Sequence, residues 1–191
     1  MSARGEREPA DHVHSPCGEV CAPLIRLATA TDADAIAHLL RVAFDAHRRN
    51  YPPEAWRSTT PEPLEVMTRL EEGPVWVACF GDRLVGTLSA IVKPDELHLR
   101  SLAVDPAARQ NGVGARLLRA AYDEARARGM RSISLETAEF LAAAVSLYRR
   151  LGFEIRGIGD HHGLRTLRLT RKAATPWLSG SDRGARQLRC P

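Results

Sequence analysis

Apolar and polar positions alternate along this chain with two different periods, and the period switches several times. Leu24 to Thr29, LIRLAT, reads as a short strand. Behind it TDADAIAHLLRVAF sets Ile36, Leu39, Leu40 and Ala43 on one helical stripe, with Thr31 or Asp32 as the N-cap. Residues 45–63, DAHRRNYPPEAWRSTTPEP, are broken by prolines and read as an irregular segment. LEVMTRLEEG then reads as a short helix closed by Gly73. Residues 75–92 read as a hairpin with a tight turn at Gly81-Asp82, and 96–104, ELHLRSLAV, as a strand. Residues 112–129 carry Leu117, Leu118, Ala121 and Ala125 on one helical face, ending at Gly129. SISLETA (132–138) is a strand, 139–152 a helix ended by Gly152, and FEIRGIGD with RTLRLTR a final strand pair. The order β-α-α-β-β-β-α-β-α-β-β fits a mixed sheet with helices on both faces.

Composition narrows the class. The chain has 191 residues, 44% hydrophobic and 26% charged, which suits one soluble globular domain. Residues 1–22 and 173–191 are polar and rich in Pro, Gly and charge, so they read as tails around a domain at 23–172. Trp177 and Leu178 can tether the second tail. No run is apolar enough to span a bilayer and the first residues lack the apolar stretch of a signal peptide, so no membrane partner and a cytoplasmic location are expected. The formal charge of +4, carried almost wholly by arginine, suits an anionic ligand. It lacks the dense basic stripe that would argue for nucleic acid. Cys79 lies in an apolar run and reads as a buried small hydrophobe, and Cys17, Cys21 and Cys190 imply no disulfide framework. His12, His14, Cys17 and Cys21 fall within ten residues, but their spacing matches no standard zinc finger, and no metal is expected.

The most informative stretch is VDPAARQNGVGARLL, 104–118. Gly112 and Gly114 open a helix just behind Arg109. A helix mouth offers amides without internal partners and the positive end of the dipole, so this stretch reads as a cradle for a pyrophosphate. It is not a P-loop, because Gly114-Ala115-Arg116 replaces Gly-Lys-Ser/Thr. Nor is it a dinucleotide fingerprint, since Leu117 stands where the third glycine belongs and the connector from Val104 is too long.

V-D-P-x-x-R-x-x-G-x-G-x-x-L-L (Val104 to Leu118) resembles the acetyl-coenzyme A motif of the GCN5-related N-acetyltransferases, and AVSLYRRLGF (Ala144 to Phe153) resembles that family's second signature. The resemblance covers roughly residues 24–170. It implies an α/β fold of the GNAT type, a mixed, mostly antiparallel sheet splayed between its fourth and fifth strands, with acetyl-CoA as co-substrate. The backbone of Leu102, Ala103 and Val104 would pair with the pantetheine arm. The amides of Arg109, Gln110, Asn111, Gly112, Val113, Gly114 and Ala115 would hold the pyrophosphate. One departure stands out: the asparagine that often begins the family's helix after strand five is Leu141 here.

The resemblance implies acetyl transfer to a primary amine by direct attack. An N–H near Val104 would serve the oxyanion, and Tyr148 matches the usual acid in position. Alternation along 96–104 puts Glu96, His98, Arg100 and Leu102 on one face. Many relatives have a glutamate near the position of His98, so His98 is a candidate base, and Glu96 a candidate acting through a water. The acceptor walls would be residues 45–63 and 159–165, with His47, Tyr51, Trp56, His161 and His162 as candidate contacts. The acceptor itself stays open among small amines, amino acids, antibiotics and protein N-termini, and a homodimer would be common for the family. Three classes remain compatible with the residues: an N-acetyltransferase, a catalytically weak acyl-CoA-binding or sensor module, and, least favoured, a nucleotide or nucleic-acid binder.

Overall fold

In a computed structural model that describes residues 22–177, the alternation resolves into seven strands: β1 (Leu24–Leu27), β2 (Val75–Phe80), β3 (Arg83–Val92), β4 (Glu96–Val104), β5 (Ser132–Ala138), β6 (Glu154–His161) and β7 (Leu164–Lys172). They form one sheet in the order β1-β2-β3-β4-β5-β7-β6. Every neighbouring pair is antiparallel except β4 with β5. The mixed, mostly antiparallel architecture is the one the sequence implies.

The described helices are α1 (Ala33–Asp45), α2 (Pro53–Thr59), α3 (Pro63–Glu72), α4 (Val113–Ala127) and α5 (Ala142–Arg150). α2 lies inside the segment read as irregular. Pro53 and Pro63 each open a helix, where a missing N–H costs nothing, so prolines that look like breakers are starters here. α1 starts from Asp32, whose Oδ2 accepts the Thr29 amide at 2.8 Å. Arg26 on β1 grips both oxygens of that carboxylate at 2.8 Å and holds it well below the usual carboxylate range. α5 begins at Ala142, three residues later than the pattern suggests, because Glu139 and Phe140 turn the chain and the Leu141 amide donates back to Ala138 O at 3.0 Å.

α4 and α5 cover one face of the sheet. Val113, Leu117, Leu118, Ala121, Tyr122 and Ala125 of α4 and Tyr148 of α5 pack with Leu97, Leu99, Ile133, Leu135 and Leu169. Leu117 and Leu118 are fully buried, each contributing roughly 1.5–3 kcal/mol by leaving water. Helices α1 and α3 cover the other face, where Ile36, Leu40 and Val66 meet Val75, Val77, Cys79 and Ala103. Cys79 is a buried free thiol there. A third cluster, Tyr51, Ala55, Ala138 and Leu164, ties the proline-rich segment to β5 and β7. After β7, Trp177 packs on Tyr122 at 5.2 Å, with the Arg171 guanidinium against both rings, so Trp177 does tether this end. Leu178, Cys190 and the candidate ligands His12, His14, Cys17 and Cys21 lie outside the described residues.

Two irregularities of β4 position everything that follows. Its pairing with β5 runs from Glu96 opposite Ser132 to Leu99 opposite Leu135 and stops. Yet β4 continues on β3 to Val104, and β5 continues on β7 to Ala138. The two strands therefore part into a V. Just past the parting, Ser89 faces Arg100 and Thr87 faces Ala103, so Ser101 and Leu102 together oppose Leu88. This is a β-bulge, with Ser101 at φ 57°. Bulges bend and overtwist a strand, which is a physical cause for the parting. The extra residue also reverses the alternation. Leu102 and Val104 join the core under α4, and Ala103 turns to α1. Leu102 thus does not share a face with Glu96, His98 and Arg100, as strict alternation implied. A period-two reading cannot see an inserted residue.

Candidate active site

The mouth of α4 is built from backbone. Asp105 caps a short turn at Pro106–Ala108, its Oδ1 accepting the Ala107 amide at 2.8 Å. Gln110 (φ 68°) and Gly112 (φ 73°) then swing the chain into the helix. The first helical bond there is Arg116 N–H to Gly112 O at 3.1 Å. Among the described residues, the amides from Gln110 to Ala115 have no backbone acceptor. These donors, with the helix dipole behind them, suit a diphosphate. The two glycines do different work. Gly112 supplies the left-handed turn. A Cβ on Gly114 would stand 3.2 Å from Leu147 Cδ2 and 3.8 Å from Val104 Cγ2, so this glycine lets α4 approach α5 and β4. The Arg109 guanidinium donates to Ala43 O at 2.9 Å and so clamps the cradle to the last turn of α1, where the dipole favours a cation.

The rim of the V beside the cradle is Leu102, Ala103 and Val104, on a stretch of β4 that has no β5 partner. A groove of about 480 Å³ runs over α5, lined by Ala142, Ser146, Arg149 and Arg150. Tyr148 is 6% exposed and rests edge-on to Phe153 at 5.9 Å. Burial alone pushes its phenol above the ordinary range, so it holds its proton firmly. Leu141 stands at the mouth of α5 and caps nothing with its side chain.

The opposite face carries the polar groups. His98 Nδ1 lies 2.8 Å from Ser134 Oγ, directly across the last stretch of paired β4 and β5. Burial and the Lys93 charge lower the His98 pKa, against the pull of Glu96 and Glu136, so the imidazole is held neutral. Burial raises the Glu96 carboxyl, but hydrogen bonds from Ser134 and Lys93 outweigh that and leave it below its ordinary value. Glu96 sits at the closed end of the V and accepts from Lys93 Nζ at 3.1 Å. Glu136, one residue past the last β4–β5 pair, is exposed and accepts from Thr166 Oγ at 3.1 Å. Its charge acts on both His98 and His161.

Five residues were candidates for the acceptor walls. Tyr51 is a core residue, 6% exposed between Phe44, Trp56 and Phe140, its phenol pushed up to about 12 by burial. His47 stacks on Phe140 at 5.7 Å, and Trp56 lies under Arg48. His161 Nε2 is 3.0 Å from Ser58 Oγ, and His162 Nδ1 is 3.4 Å from Glu54 Oε1. Residues 45–63 and 159–165 thus touch each other. Sequence reasoning missed Ser134, Glu136 and Arg69. Position parity in SISLETA puts Ser134 and Glu136 on one face, but nothing in the sequence pairs that face with His98. Among the described residues, no three His, Cys, Asp or Glu side chains are grouped to hold a metal, and no helix is long and apolar enough to cross a membrane.

The chain is 38% identical over 87 residues to the camello protein of Xenopus tropicalis, an alignment covering 44% of this chain and 40% of that protein. It thus spans less than half the length of that relative. The fold matches a ribosomal-protein-alanine N-acetyltransferase from Brucella melitensis, with a TM-score of 0.64 and 26% identity over 78% of this chain and 99% of the other. It also matches the paiA N-acetyltransferase from Thermoplasma acidophilum, solved with coenzyme A, with a TM-score of 0.69 and 16% identity over 80% of this chain and 99% of that one. The acetyltransferase (GNAT) family model matches residues 35–153, from α1 through the cradle and Tyr148 to the end of the second signature, and the chain belongs to that family.

Proposed function

We propose that this protein transfers an acetyl group from acetyl-CoA to a primary amine. One observation carries the proposal: Tyr148 and His98 lie on opposite faces of the sheet, and the V between β4 and β5 joins those faces beside the α4 cradle. A thioester whose diphosphate sits on the α4 amides would thread that V, with its carbonyl at the unpaired edge of β4. The coenzyme A found in the Thermoplasma relative fits this use of the cleft.

The chemistry follows from the groups present. In the tautomer whose His98 Nδ1–H donates to Ser134 Oγ, the Nε2 lone pair is free. That lone pair takes the proton of the attacking amine. Backbone N–H groups near Val104 receive the developing oxyanion. The C–N bond forms as the C–S bond breaks, and Tyr148 Oη protonates the leaving thiolate from the other face. Glu136, on the same face as His98, is the alternative proton acceptor.

The test is release of free thiol from acetyl-CoA with a panel of amines, beside thermal shifts with acetyl-CoA, CoA, NAD and ATP. Stabilisation by the two coenzyme A species alone, with amine-dependent thiol release that falls in Tyr148→Phe, is the expected result. Stabilisation without thiol release would make the chain an acyl-CoA-binding module, a reading that the bare Leu141 cap favours. No response to acetyl-CoA would sink both.

A further inference from the structure

One group on the acceptor face has no task in acetyl transfer. Arg69, from α3, lies beside Arg100, the first β4 residue past the paired stretch. The hydrogen bonds of Arg69 go to neutral partners, its guanidinium donating to Ser101 Oγ and to Ser58 O, both at 2.8 Å, while the Glu65 charge acts on it. Arg100 is ion-paired with Glu72, but its Nε is buried without a partner among the described residues. Burial and the neighbouring Arg69 charge push Arg100 down to about 10, and burial, opposed in part by the Glu65 charge, pushes Arg69 down as well. The two guanidiniums line a cleft of about 220 Å³ with Glu65, Thr68 and Glu72. Both carboxylates of that cleft are engaged, Glu72 by Arg100 and Glu65 by the Glu62 amide at the start of α3 (2.9 Å).

Glu72 answers Arg100 and the Glu65 charge acts on Arg69, yet the two guanidiniums keep N–H donors that these partners do not take up, the Arg100 Nε among them. Guanidinium forks match carboxylate oxygens bidentately. The spacing limits the anion's distance from the amine. Arg100 is two positions from His98, a rise of about 7 Å along the strand.

From this we infer that Arg69 and Arg100 form a subsite for a carboxylate carried by the acceptor, a few bonds from its reacting amine. The inference rests on the acetyltransferase reading above and narrows it to acceptors of the amino-acid type. A long peptide, whose free amine stands far from its terminal carboxylate, would not use the subsite.

The experiment compares matched acceptors on the full chain: free amino acids, their C-terminal amides, the decarboxylated amines and tripeptides with free N-termini. Thiol release should favour the free acids over the amides and amines by roughly tenfold or more in kcat/KM. Arg69→Gln should erase that preference through KM for the acids, and Arg69→Lys should restore part of it. Because Arg69 also ties α3 to Ser58 and Ser101, stabilisation of each variant by acetyl-CoA checks that it is folded. Equal rates for acids and amides on the unaltered protein overturn the inference. If no amine of any class is acetylated, the activity reading has failed. The subsite is then decided by calorimetric titration of the CoA-loaded protein with N-acetyl amino acids against their amides: preference for the acids upholds it, and equal or absent binding overturns it.

Discussion

The two faces of the V are built from different materials. The proposed cofactor side is backbone on an apolar bed: amides from Gln110 to Ala115, an unpaired strand edge, and glycine where the chain must turn or pack closely. The proposed acceptor side is an assembly of side chains from six elements: Ser58 of α2, Arg69 of α3, His98 and Arg100 of β4, Ser134 and Glu136 of β5, His161 of β6 and Thr166 of β7, with the last two strands paired as a hairpin. The first material is tolerant of side-chain change and intolerant of backbone change. The second is the reverse. A fold can thus keep one thioester site while its acceptor site drifts residue by residue.

The largest effect expected from this contrast is on the acceptor side. His98→Asn should lower kcat roughly 100-fold, as removal of a general base does, while acetyl-CoA still raises the melting temperature as much as in the unaltered protein. Loss of the acetyl-CoA shift in that variant would mean the two faces are not separable. Next comes the backbone of the cofactor side. Gly112→Val forces a β-branched residue to φ 73° and should cost about 1–2 kcal/mol of stability together with acetyl-CoA binding. Asn111→Ala, a side-chain change in the same cradle, should leave that binding within about threefold in a titration; a larger loss would break the distinction.

A smaller effect is in the pH profile. His98 must be neutral to accept a proton, so kcat/KM rises with pH through its pKa. Burial and Lys93 lower that pKa, so the acidic limb should fall below the ordinary histidine range near ~6.5. Glu136 raises it, so Glu136→Gln should move the limb to still lower pH. Movement of the limb the other way, or its disappearance, would point to Glu136 itself as the base. The smallest effect is Gly114→Ala. Its Cβ presses only the flexible end of Leu147, and the gain in helix propensity offsets that, so the stability measured by denaturant unfolding should change by less than about 1 kcal/mol. A large loss would show the α4–α5 contact to be tighter than the 3.2 Å approach suggests.

Much of this was legible in the chain before its fold was known, and the reason differs by region. Strands and helices followed from periodicity because each element buries one face against a neighbour. The cradle followed because left-handed turns and close helix packing demand glycine at fixed offsets. Helix α2 was hidden because proline at a first helical position looks like proline in a loop. The fate of Leu102 was hidden because a single inserted residue reverses parity without leaving a compositional trace. Tyr51 read as a wall residue since aromatics in a proline-rich stretch have no periodic neighbours to mark them as core.

By itself the sequence determined what depends on neighbours a few positions apart: the element order apart from α2, the two signatures, the amide-rich helix mouth and Tyr148 at its place on the last helix. Only the tertiary structure decided which polar side chains meet. Ser134 reaches His98 across 36 positions, His161 reaches Ser58 across 103, and Arg69 reaches Ser101 across 32. Such contacts arise from sheet order, strand parting and one bulge, and no local periodicity encodes them.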